Sequence, residues 1–226
     1  METITVPQQH TPRGSQKWIQ VLVNDRPDLL SSSLASRLPP GTAKGIEWVS
    51  PLRKDDYAEY RDEEFLQRLG IVCSRVPLAK FWPPKGPQWD ALGRAGTGGP
   101  CLLVEAKANI PEIVSSCKAD SPESLRLIRK ALADTREYLG CAGKSDWMNG
   151  FYQYANRLAH LYFLREHNRQ NAYLVFIYFL NDRTHLPTSQ EEWCGALALQ
   201  KRLMGLGSHR LKKFVIDLFI DTRRLE

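Results

Sequence analysis

Gln88-Trp89-Asp90-Ala91-Leu92-Gly93, then Arg94-Ala95-Gly96-Thr97-Gly98-Gly99-Pro100, then Cys101-Leu102-Leu103-Val104-Glu105-Ala106-Lys107-Ala108 is the stretch on which the fold turns. Two largely apolar runs flank a cluster of glycines and a proline, the pattern of a β-hairpin. Side chains alternate faces along a strand, so Glu105 and Lys107 project from one side, about 6.6 Å apart along the chain. Leu102-Leu103-Val104 is apolar enough for a central strand, and charges at the end of such a strand need compensation. Pairing the two runs across the turn can bring the Asp90 carboxylate beside that of Glu105. Two converging carboxylates, a backbone carbonyl and waters are the hard oxygen ligands that Mg²⁺ or Mn²⁺ prefers. The competing reading is a solvated Glu105–Lys107 ion pair worth at most about 1 kcal/mol and without function.

Working outward, Asp55 to Leu69 reads as a helix stopped by Gly70, with Ala58, Phe65, Leu66 and Leu69 as its buried stripe and Glu64 beside it. Ile71 to Val76 reads as a strand, making a three-stranded meander with the hairpin. Downstream, Ser121-Pro122-Glu123 starts a helix that Gly140 ends, and a second helix is expected near Asn149 to Asn168. The β-branched and aromatic run Tyr173 to Phe179 is the buried strand that follows it. A helix around Ser189 to Met204 and an alternating strand, Phe214 to Ile220, complete the chain. Upstream, residues 1–15 are polar, contain Pro7, Pro12 and Gly14, and read as a flexible leader. Residues 16–50 read as an N-terminal helical arm, with two short helices broken near Pro27. The fold class is therefore α/β, one domain with trimmings.

The 226 residues, 42% hydrophobic and 25% charged, suit one substantial core. Lys and Arg outnumber Asp and Glu by 31 to 25, a net charge of +6 that permits a polyanionic partner without requiring one. Five scattered cysteines show no zinc or disulfide spacing, which fits a reducing cytoplasm. The longest apolar run, Ala172 to Leu180, falls short of the roughly 20 residues of a membrane helix, so no membrane partner is expected.

Asp90, a spacer holding a hairpin turn, and Glu105-Ala106-Lys107 together resemble the signature of the PD-(D/E)XK nuclease superfamily, with Trp89 standing where the name-giving motif has proline. The resemblance covers about residues 55–182 and implies a restriction-endonuclease-like α-β-β-β-α-β core, a mixed central sheet flanked by helices, within a domain spanning 51–226. It implies Asp90 and Glu105 as ligands of Mg²⁺ or Mn²⁺, Lys107 as the residue orienting or activating the attacking water, and Glu64 as the accessory helical acid and third metal ligand, with Glu63 as its fallback. The helix at Phe151-Tyr152-Gln153-Tyr154-Ala155-Asn156-Arg157 looks like the glutamine-bearing helix of some branches, which points to Gln153. The implied activity is metal-dependent hydrolysis of phosphodiester bonds in nucleic acid, DNA before RNA. The alternative is a non-catalytic nucleic-acid- or protein-binding module on the same fold. Lys80, Lys85 and Arg94 lie near the motif and could meet phosphates, and Trp82 and Trp89 could stack on bases, although solvated lysines and core tryptophans are the commoner case. Oligomeric state is left open, a homodimer included.

Overall fold

The computed structural model describes residues 11–96, 98–141 and 145–226. Two short helices, α1 (Gly14–Asn24) and α2 (Pro27–Leu34), precede a strand, β1 (Ile46–Ser50). Next come α3 (Asp62–Arg68), the single turn α4 (Leu78–Phe81), and the hairpin strands β2 (Ala91–Ala95) and β3 (Cys101–Lys107). Helices α5 (Pro122–Leu139) and α6 (Tyr152–Tyr162) lead to β4 (Ala172–Leu180), and α7 (Gln190–Leu203) leads to β5 (Val215–Asp221). The strands form one open sheet in the order β1-β2-β3-β4-β5, antiparallel across the first three and parallel across the last three. It is a mixed α/β sheet flanked by helices.

Local chemistry explains the boundaries that matter. Ser121 accepts a hydrogen bond from Ser124 N at 3.1 Å, Pro122 fills the first helical position, and Gly140 closes α5 at φ 68°. Ser189 and Glu192 cap α7 reciprocally. Strand β4 is buried along its whole length because helices cover both faces of the sheet.

The alternation of β3 and β4 divides the interior in two. Leu103, Leu174, Phe176 and Tyr178 face α3 to α7, together with Leu92 of β2. Leu102, Val104, Ala106, Val175, Ile177 and Phe179 face the opposite way, where Trp18, Ile19 and Leu22 of α1 and Leu30 and Leu34 of α2 cover them. Trp48 of β1 pairs with Gly93 of β2, and its ring lies where a Cβ on Gly93 would come within 3.0 Å, so glycine makes room for the indole.

Three expectations change. The strand expected at Ile71 to Val76 is irregular chain with Val72 exposed, and the third antiparallel strand is β1 instead. Residues 16–50 are therefore no separate arm: α1 and α2 cover one face and 46–50 form a sheet edge, which a boundary at 50/51 would cut off from β2. Of the expected leader, residues 1–10 lie outside the described residues, and α1 already starts at Gly14. Thr97 of the hairpin turn also lies outside them. Among the described residues no helix is long and apolar enough to cross a membrane.

Because α1 completes the core, Trp18→Ala, at a site 1% exposed, should lower the unfolding free energy by about 3–5 kcal/mol in a single urea transition. A separate low-stability transition with the main one unmoved would instead mark residues 16–50 as an independent arm.

Candidate functional site

The antiparallel register pairs Ala91 with Val104 and Leu92 with Leu103, so one further step sets Asp90 opposite Glu105 on the same face. The Asp90 carboxylate bends over the end of β2, and its Oδ2 accepts from Ala106 N at 2.7 Å, between Glu105 and Lys107. Lys107 Nζ donates to Glu105 Oε1 at 2.6 Å and to Gln153 Oε1 at 3.1 Å. Four of the five residues singled out in the sequence, Asp90, Glu105, Lys107 and Gln153, thus line one cleft of about 1100 Å³.

Glu64 is the exception. Residues 53–55 form a 3₁₀ turn, Asp56 and Tyr57 adopt positive φ, and Tyr60 bridges Trp89, so the helix expected from Asp55 starts only at Asp62. Glu64 does not line the cleft, nor does its fallback Glu63. The extended segment brings Glu59 there instead, 8% exposed, with Gln88 Nε2 donating to its Oε2 at 2.8 Å and Gln16 Nε2 to its Oε1 at 3.4 Å. Helix α3 contributes through Asp62, which accepts from Lys85 N at 3.0 Å and Gly86 N at 2.8 Å and so pins the loop at the cleft rim.

Arg157 was not singled out either. It stands one turn after Gln153 on α6, and Ser115 Oγ fixes that helix end by accepting from Gln153 N at 2.9 Å. Its Nε donates to Glu105 Oε2 at 2.6 Å, its Nη2 to the Gln88 carbonyl at 2.7 Å and its Nη1 to Asn156 Oδ1 at 2.9 Å. The guanidinium also lies 4.9 Å from the centroid of the Trp89 ring. The other suggested contacts fare differently. Lys85 lines the cleft, Lys80 does not, Arg94 pairs with Glu47 at 3.1 Å, Trp82 lines the cleft at only 3% exposure, and Trp89 is buried at 0% behind it.

The three carboxylates differ in their electrostatics. Burial raises Glu105, but Arg157 and Lys107 outweigh it and hold this carboxyl below its ordinary value. Burial, reinforced by the negative charges of Glu105 and Glu59, pushes Asp90 well above its ordinary value. Burial also lifts Glu59 to about 7, against the hydrogen bonds from Gln88 and Gln16. Lys107 would be lowered by burial, yet Glu105 and Asp90 keep it raised and charged. His160, behind the rim loop, is held down to about 3 by burial, and its Nδ1 meets the Asn156 carbonyl at 2.8 Å among Phe65, Phe81, Trp82 and Trp89. It is a neutral core residue.

As the side chains stand, no three His, Cys, Asp or Glu residues among the described residues gather around one point to hold an ion. Glu105 is turned to its two cations and Glu59 to its glutamines. The donor chemistry nevertheless suits a hard divalent cation: among the described residues Asp90 Oδ1 takes part in no hydrogen bond, and neither Asp90 nor Glu59 on the cleft wall has a cation within ion-pair distance. No protein-family model, curated protein or solved structure matches this chain.

The raised Glu59 carboxyl has a consequence for stability. From about pH 4.5 to 7 the folded chain keeps a proton that the unfolded chain releases, so stability falls as pH rises through that window. Glu59→Gln does not titrate and should gain on the wild type by about 1–3 kcal/mol between pH 5 and pH 8, read from urea unfolding at both. A difference that stays constant with pH would show that Glu59 is ionised throughout.

Proposed function

We propose that this sheet is the restriction-endonuclease-like core of the PD-(D/E)XK superfamily and that the protein hydrolyses phosphodiester bonds in nucleic acid, DNA before RNA, with Mg²⁺ or Mn²⁺, in a reducing cytoplasm. The observation that carries the reading is the convergence of Asp90, Glu105 and Lys107 at the ends of two adjacent strands, with the Asp90 carboxylate bonded to Ala106 N inside that motif. A surface ion pair would not have its lysine 13% and its glutamate 2% exposed at the wall of a cleft.

Asp90 and Glu105 are the residues that would hold the cation, with Glu59 in the accessory role that the sequence pointed to for Glu64. A bound cation would supply Lewis acidity, lowering the pKa of an attacking water and neutralising negative charge that develops on the phosphoryl oxygens. Lys107, kept charged by its acidic neighbours, places an ammonium where it can orient that water and donate to a phosphate oxygen. Gln153 holds Lys107 through its side-chain oxygen, so the ammonium keeps its direction with one donor committed to each of two partners. Lys85 and Lys118 on the cleft walls are placed to meet flanking phosphates.

The second reading, a binding module without catalysis, draws on one observation: both Glu105 oxygens are engaged by cations. Incubating the full chain with supercoiled plasmid and with single-stranded DNA in Mn²⁺ separates the two. The wild type should cleave, and Asp90→Asn and Lys107→Met should each lose about 10²–10⁴-fold. Equal cleavage by all three would reject these residues, whereas DNA binding without cleavage would favour the module.

A further inference from the structure

Arg157 contributes something that the motif residues do not: a permanent positive charge fixed inside the acidic cluster. Its side chain is 5% exposed, and each of its three nitrogens donates to a different acceptor, on β3, on the segment entering β2 and on α6. A guanidinium does not lose its proton in a protein, and one tied at three points does not swing away. It therefore occupies the Oε2 side of Glu105, while Lys107 holds Oε1.

We infer, on the reading that the cleft binds a divalent cation, that Arg157 stands in for a second one, so that each chain holds a single ion. Two ions about 3.5–4 Å apart would need a carboxylate oxygen open to each; Asp90 Oδ1 is open, and Lys107 on its four-carbon stem can turn away from Glu105 Oε1, but Arg157, tied at three points, keeps Oε2 closed to a second ion. Arg157 is thus a positioning residue: it orients Glu105 and sets the number of ions.

The test counts ions rather than turnover. Full-length protein is titrated with Mn²⁺ alone, with heat followed by calorimetry and free Mn²⁺ by electron paramagnetic resonance. The wild type should take up one ion per chain, Arg157→Met two, and Arg157→Lys, which restores a cation, one again. Two ions in the wild type would overturn the inference and leave the metal-site reading intact; so would one ion in a folded Arg157→Met. No uptake by the wild type would overturn both. The wild-type count decides the matter even if Arg157→Met fails to fold.

Discussion

Glu105 is a carboxylate at the buried end of a central strand, and the arrangement around it follows from the need to compensate its charge. Water does not reach it freely, so protein groups must supply what solvation would have given. Lys107 arrives by strand periodicity, two residues along the same face. Arg157 arrives from α6, which the parallel crossover from β3 to β4 lays against that face. Sheet order, helix placement and site charge are thus one arrangement seen at three scales.

The second consequence is an imbalance. Two cations satisfy Glu105, but among the described residues Asp90 and Glu59 share the cleft without an ion-pair partner of their own, and both carboxyls are raised. Unpaired acids beside a paired one cost stability and persist where something else draws on them. Hydrogen bonds blunt the cost: Ala106 N donates to Asp90, and the Gln88 side-chain amide donates to Glu59 while the Gln88 backbone carbonyl accepts from Arg157. Gln88 therefore couples the extra acid to the extra cation through a single residue.

The legible and illegible parts of the chain differ in range of interaction. The β2–β3 hairpin, the helix ends at Ser121, Gly140 and Ser189, and the apolar β4 are written in neighbouring residues, although β2 runs Ala91–Ala95, so Arg94 and Ala95, expected in the turn, belong to the strand and Gln88 to Asp90 lead into it. Strand β1 is five residues long and its burial depends on Gly93 far downstream accepting Trp48, a pairing invisible to local pattern. Ile71 to Val76 carries β-branched residues but finds no strand beside it. Glu59 was missed because positive φ at Asp56 and Tyr57 breaks the helical period that seemed to run through it. Arg157 offered one faint signal, its position four residues after Gln153 on the same helix.

Helix α6 shows why the missing pieces belong with the recognised ones. A turn separates Gln153 from Arg157, and that spacing lets one rigid element meet Lys107 with the first and Glu105 with the second. Ser115 fixes the start of the helix, His160 wedges its last turn among aromatic rings, and Asp62 pins the facing loop. None of these three touches the carboxylates. They hold the helix and the loop on either side of the cleft, so the distance between the two walls is set by packed core and backbone hydrogen bonds. A cluster whose charges repel as well as attract can keep one geometry only when its supports are fixed in this way.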